Sequence, residues 1–179
     1  MENPTRFSTH QSNPRRGGKA MDFVGYRNLK LVEQLTKQGR VTKTFKGKRT
    51  FDSDQFALLH MMASATYDWP LDDKTQGLGK MPRIYAYGWL EMARALGMTL
   101  PDGIDEIEVI GNEPRAPKLE NAAYQRISKA AKKLQANGLI KCLRKGSPQK
   151  RNNAVWLLTI GTPEENREVE AYVRQHMYL

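Results

Sequence analysis

Asn121, Gln125, Arg126 and Lys129 recur at helical spacing, and each carries chemistry suited to a base edge. The carboxamides of Asn121 and Gln125 combine a donor with an acceptor and match the two polar atoms of adenine, while Arg126 or Lys129 matches guanine. Lys118, Lys132 and Lys133 occupy the same predicted helix and suit phosphate oxygens. A predicted hairpin then adds Lys141, Arg144, Lys145, Lys150 and Arg151. Ten of the thirty-four residues from 118 to 151 are Lys or Arg, opposed only by Glu120. This segment alone carries +9 of a net charge of +10. Cations spaced along a helix and an adjoining β-loop can neutralise the phosphates of a duplex and release counterions.

Helical geometry divides the faces of that segment. At 100° per residue, with Ile127 as origin, Ala123, Tyr124, Ala130, Ala131 and Leu134 fall within about 60° and form the stripe expected to be buried. Asn121, Gln125, Lys129 and Lys132 lie opposite, with Ser128 on one shoulder and Arg126 and Lys133 on the other. The plain alternative is a solvated basic face, the usual meaning of a single charged run. Here no acid interrupts the run from Asn121 to Arg151, and the charge continues from helix to hairpin. Lys145, Lys150 and Arg151, at the loop, are expected to hold phosphate or enter a minor groove.

These side chains need elements to position them. Residues 1–20 are polar and rich in Pro, Gly, Ser and Asn, so they are expected to be disordered when free. Within them Arg15, Arg16 and Lys19 could form a minor-groove arm; a solubilising tail or nonspecific RNA contact is the competing reading. Residues 1–50 read as a basic N-terminal arm, with a helix and a strand expected over 22–48. Tyr26, Leu29, Val32 (or Leu31) and Leu35 mark the helix, Gly39 stops it, and Val41 to Phe45 alternate as the strand.

The main domain is expected over 51–161. Asp52 and Gln55 form a capping box for a helix over 53–67. A loop from Asp68 to Pro82 leads to a strand at Arg83–Tyr87 and a helix over 89–96, stopped by Gly97. An acidic insertion, 98–117, holds a strand at Ile104–Ile110. The basic helix spans 118–137, with Pro117 in its first turn and Gly138 at its end. Strands at 139–145 and 154–160 follow, with the loop and its arms over 141–155. Thr162, Pro163 and Glu165 start a last helix within 162–179. Its stripe of Val169, Tyr172 and Val173 either packs on its own domain or pairs with a second copy. Trp89 and Trp156 fall on apolar-periodic elements and read as core rather than as base-stacking platforms.

Charge is distributed in blocks: +9 over 1–50, −6 over 51–117, +9 over 118–151 and −2 over 152–179. Two basic blocks around an acidic one imply an oriented molecule with a binding face. A single cysteine, Cys142, excludes an internal disulfide and suits a reducing compartment. No apolar run approaches the ~18 residues of a spanning helix, so a cytoplasmic, nucleoid-associated protein is expected, with no membrane partner. Catalysis finds no constellation. His10, His60 and His176 are scattered, and Gly77-Leu78-Gly79-Lys80 lacks the spacing of a phosphate-binding loop. A non-enzyme without metal or cofactor is the expectation.

The element order, helix, strand, two helices and hairpin, is that of a winged helix-turn-helix: mainly α with a small β-hairpin, extended by the basic N-terminal arm and the C-terminal helix. The run from Asn121 to Ile140, closing on Leu134 and then Gly138-Leu139-Ile140, resembles the recognition helix of that superfamily and its exit into the wing. Tyr87 to Gly97 is similar to the preceding helix in winged-helix proteins of actinobacterial phages, plasmids and integrative elements. The likeness covers about 52–160, and the insertion at 98–117 departs from the short turn usual there. It implies double-stranded DNA binding. Three roles fit: a transcriptional regulator touching RNA polymerase or its own copy, a non-catalytic origin binder recruiting replication machinery, or a nucleoid-structuring or RNA-binding protein.

Overall fold

The computed structural model describes residues 24–99, 109–110, 113–147 and 152–177. Arg15, Arg16 and Lys19 of the expected arm, and Lys150 and Arg151 of the loop, lie outside the described residues. The first elements are α1 (Tyr26–Lys37), the hairpin β1 (Thr42–Phe45) and β2 (Lys48–Phe51), and α2 (Ser53–Ser64). Next come a short α3 (Asp73–Gly77), β3 (Ile84–Tyr85), α4 (Trp89–Ala95) and the small pair β4 (Val109–Ile110) and β5 (Glu113–Pro114). The chain ends with α5 (Arg115–Ala136), β6 (Ile140–Arg144), β7 (Val155–Leu158) and α6 (Pro163–Met177). The architecture is mainly α with small antiparallel sheets: β1–β2, β4–β5 and a three-stranded sheet in the order β3–β7–β6.

Helices α2, α4 and α5 meet around one core. Leu58, Leu59 and Met62 of α2 pack with Met92 of α4 and with Ile127 and Leu134 of α5, all at 2% exposure or less. Burying each such side chain contributes on the order of 1.5–3 kcal/mol. Val32 of α1 and Val41 belong to the same cluster. Val32 and Val41 thus anchor residues 24–41 on the core.

Several elements differ from the sequence expectations for local reasons. β2 was not anticipated, because its residues carry no apolar alternation; its pairing follows from a two-residue turn at Lys46 and Gly47, both at positive φ. The loop 68–82 holds α3, whose start is capped by Asp72 accepting from the Thr75 N–H at 2.7 Å. α5 begins at Arg115, three residues before the expected 118, because a first turn needs no N–H from Pro117. The strand expected at 83–87 shrinks to Ile84–Tyr85, since Arg83 adopts φ +53°. Of the strand expected at Ile104–Ile110, only Val109–Ile110 falls among the described residues.

The buried face of α1 also departs from its periodicity: Tyr26 is 69% exposed, whereas Asn28 is fully buried. The Asn28 amide donates to the Thr66 and Tyr67 carbonyls, and its oxygen accepts from Arg83 Nε at 3.1 Å. Gly25 offers no side chain to cap α1, so Asp68 does so from a distance, accepting from the Arg27 and Asn28 N–H groups at 2.9 and 2.7 Å. Arg83, itself fully buried, pairs with Glu165 of α6 at 2.8 Å. It thereby joins α1, β3 and α6, a role that no local pattern signals.

α6 runs over the range its start signal implied, and its apolar stripe is covered by the chain itself. Val169 and Val173 are fully buried with Leu157 of β7, and the Tyr172 ring meets Trp69 at 5.3 Å. Val169 and Val173 are thus closed to a second copy, while Tyr172 stays half-buried.

Candidate nucleic-acid interface

α5 is the longest helix, and its exit is set by a left-handed Gly138 at φ +68°. There the Leu139 N–H donates back to the Leu134 carbonyl at 2.9 Å, closing the helix and aiming the chain into β6. Ala123, Ile127, Ala130, Ala131 and Leu134 are buried, as the helical projection requires. The opposite side holds Lys118, Asn121, Gln125, Lys129 and Lys132, all exposed. Among the described residues, Asn121, Gln125, Lys129 and Lys132 have no hydrogen-bond or ion-pair partner. Together they form a ridge of two carboxamides and two free cations.

The shoulder cations differ from that ridge. Arg126, expected to read bases, is ion-paired with Asp54 of α2, its Nε donating at 2.9 Å. The hydrogen bond to Asp54 and the nearby charge raise its pKa. Lys133, expected to hold phosphate, bonds Asp52 at 2.9 Å. The two pairs differ in what surrounds them. Arg126 is 57% exposed and Asp54 35%, so their pair is worth ~0–1 kcal/mol and exchangeable for a phosphate. Asp52 is 2% exposed, so withdrawing Lys133 would leave a buried charge unpaired. Burial works against ionising Asp52, but hydrogen bonds from Lys133 and from the Gln55 side chain and backbone outweigh it and hold its pKa at about 2.

Asp52 caps α2, accepting from the Asp54 and Gln55 N–H groups at 3.1 and 3.3 Å. The Gln55 side chain does not close the reciprocal half of the expected box. It donates to the Asp52 carboxylate at 3.1 Å and to the Thr42 carbonyl at 2.9 Å. The Asp52 N–H is taken instead by the Val41 carbonyl at 3.3 Å.

The β6–β7 hairpin lies on the other shoulder. Its loop is closed by reciprocal backbone bonds between Ser147 and Asn152 at 3.1 and 3.2 Å. Arg144 and Lys145 are exposed on its first arm. Lys141 turns away from α5 and pairs with Glu170 of α6 at 2.7 Å. Burial raises the Glu170 pKa, but hydrogen bonds from Lys141 and Arg174 more than offset this and lower it.

Between the loop end of this hairpin, the start of α4 and α5 runs a cleft of about 510 Å³. Tyr87, Trp89, Tyr124, Trp156, Asn152 and Asn153 line it. Tyr124, expected in the buried stripe, is 48% exposed. It sits at the stripe's edge, where this cleft opens. Trp89 and Trp156 do pack on the core as expected, their rings 5.5 Å apart, yet both are half-buried and show an edge to the cleft. Tyr85 lies behind them, stacked on Trp89 at 5.9 Å, and burial raises its pKa.

Among the described residues no group of His, Cys, Asp and Glu is placed to hold a metal ion, and no helix is long and apolar enough to cross a membrane. Comparison with protein-family models, curated proteins and solved structures returned no match.

Proposed function

We propose that this chain is a sequence-reading, double-stranded DNA-binding protein of winged helix-turn-helix type. α5 enters the major groove, where Asn121, Gln125 and Lys129 face base edges and Lys118 and Lys132 meet phosphate. Arg126 joins them by exchanging Asp54 for the DNA. Lys145, with Lys150 and Arg151 beyond the described residues, holds phosphates beside it. The packing of α2, α4 and α5 against β3–β7–β6 supports this reading. The observation that carries it is the α5 ridge, whose amides and cations are exposed and unpartnered beside acids already engaged elsewhere.

The assignment extends to a transcriptional regulator of a phage or other mobile element, which rests on the likeness of residues 87–97 and 121–140 alone. An origin-binding protein that recruits replication machinery uses the same surface. The basic region before Asp52 favours that second reading.

The test is a selection from random duplex DNA with the full chain at near-physiological salt. An enriched motif is expected, and its genomic position separates promoter from origin. No enrichment, with binding that collapses as salt rises, would replace this reading with a nucleoid-structuring or RNA-binding one. On the selected site, Gln125→Ala should erode preference at one base pair by ~1–3 kcal/mol. Lys132→Ala should weaken all sequences alike and lower the salt slope by ~0.9. Equal losses on specific and random DNA for Gln125→Ala would show that α5 does not read bases.

A further inference from the structure

The β1–β2 hairpin is the second basic feature of the chain. From Gly39 to Phe51 it carries Arg40, Lys43, Lys46, Lys48 and Arg49 and no acid. The register pairs Phe45 with Lys48 and Lys43 with Thr50, which puts Lys43, Phe45 and Lys48 on one face. Lys46 stands at the turn, its ammonium 5.5 Å from the centre of the Phe45 ring. Every strand residue except Thr42 is exposed, and Phe45 is 60% exposed. Among the described residues no carboxylate reaches the ammonium groups of Lys43, Lys46 or Lys48. Like charges crowded on a ribbon destabilise it, and a two-stranded ribbon is marginal by itself. The other face of the hairpin packs through Phe51 on Phe56 of α2, ring centres 5.6 Å apart, whereas the face of Lys43, Phe45 and Lys48 stays exposed with its cations uncompensated among the described residues.

Its placement gives those cations a direction. The base of the hairpin is bonded to α2 through Asp52 and Gln55. The same two residues are bonded to Lys133 of α5 at 2.9 Å and to Asn137, just past its end, at 2.9 Å. The loop of the β6–β7 hairpin instead faces α5 at Tyr124 across the cleft. In helical projection Tyr124 and Lys133 lie on opposite sides of the buried stripe, so the exposed ridge runs between the two hairpins. At 1.5 Å per residue the anchors are ~14–20 Å apart along α5, wider than the ~12 Å of a major groove.

We infer that the β1–β2 hairpin is a second backbone-binding ribbon, which grips duplex phosphates on the flank of α5 opposite the β6–β7 loop. The inference rests on the duplex-binding reading above. A polyanion supplies the charge that Lys43, Lys46 and Lys48 lack, and a duplex is the polyanion that α5 would place beside them.

The test compares Lys43→Ala/Lys48→Ala with Lys129→Ala/Lys132→Ala in the full chain, by salt-dependent affinity and hydroxyl-radical footprinting on the selected duplex. Both hairpin positions are exposed, so circular dichroism and Tm should match the parent. The hairpin variant should lower the slope of log K against log salt by ~1.8, two contacts at ~0.9 each, and shorten protection at one end of the site. The α5 variant should weaken protection at the centre. A parent that binds while the hairpin variant keeps its slope and footprint would overturn the second ribbon and leave the α5 reading intact. A parent that binds no duplex overturns both.

Discussion

The two hairpins flanking α5 both carry cations, yet the protein holds them in different ways. β6–β7 is part of the core: Ile140, Val155, Leu157 and Leu158 are buried, and β3 pairs with its outer edge. β1–β2 has no buried strand residue and is held at its base by Asp52 and Gln55. Charge follows the same division. Lys141 of β6 is satisfied by Glu170, whereas Lys43 and Lys48 meet no acid among the described residues. A basic residue next to packed structure tends to acquire a structural partner. One on a projecting ribbon has fewer such partners within reach.

The largest effect should come from the packed hairpin. Leu157→Ala removes a fully buried side chain shared with Val169 and Val173, and chemical denaturation should show a loss of ~2–5 kcal/mol. A loss below that range would mean that β7 and α6 are less tightly joined than their burial implies.

The tie at the base of the projecting hairpin comes next. Asp52 has a folded-state pKa of about 2, below its ordinary 3.8, so its ionised form stabilises the fold. That stabilisation is fully present above about pH 4 and is lost as pH falls through about 2. Asn can still cap α2, so Asp52→Asn isolates the charge. It should cost ~2 kcal/mol in denaturation at neutral pH, shrinking towards zero as pH falls below about 2. A loss that does not change with pH would point to capping rather than to Lys133.

The smallest effect belongs to the ribbon. Phe45→Ala should move stability by less than ~0.5 kcal/mol, because its ring is 60% exposed and joins neither hydrophobic cluster. A larger loss in thermal melting would show that β1–β2 is part of the cooperative core and erase the contrast.

Much of the framework was legible along the chain, because its signals are local. Thr162, Pro163 and Glu165 announced α6, and Gly138 announced the end of α5. The faces of the helices were less legible. Tyr26 and Tyr124 sit at apolar periodic positions and are exposed, while Asn28 is buried. An amide is buried only where other carbonyls await it, and those of Thr66 and Tyr67 come from another segment. Arg83 gave no signal, since its partners Asn28 and Glu165 lie 55 and 82 residues away.

The candidate interface divides in the same way. Spacing along the chain already places the cations and carboxamides on α5 and assigns them to faces, because helical geometry depends on nothing else. Which cations remain free is settled by packing between segments distant in the chain. Arg126 and Lys133 are engaged because α2 packs against α5 and brings Asp54 and Asp52 within reach across 72 and 81 residues. Lys129 and Lys132, on the same helix, stay free because no described element covers their face. Charge is a property of composition, but whether it is available to a partner depends on which other charges the fold brings alongside it.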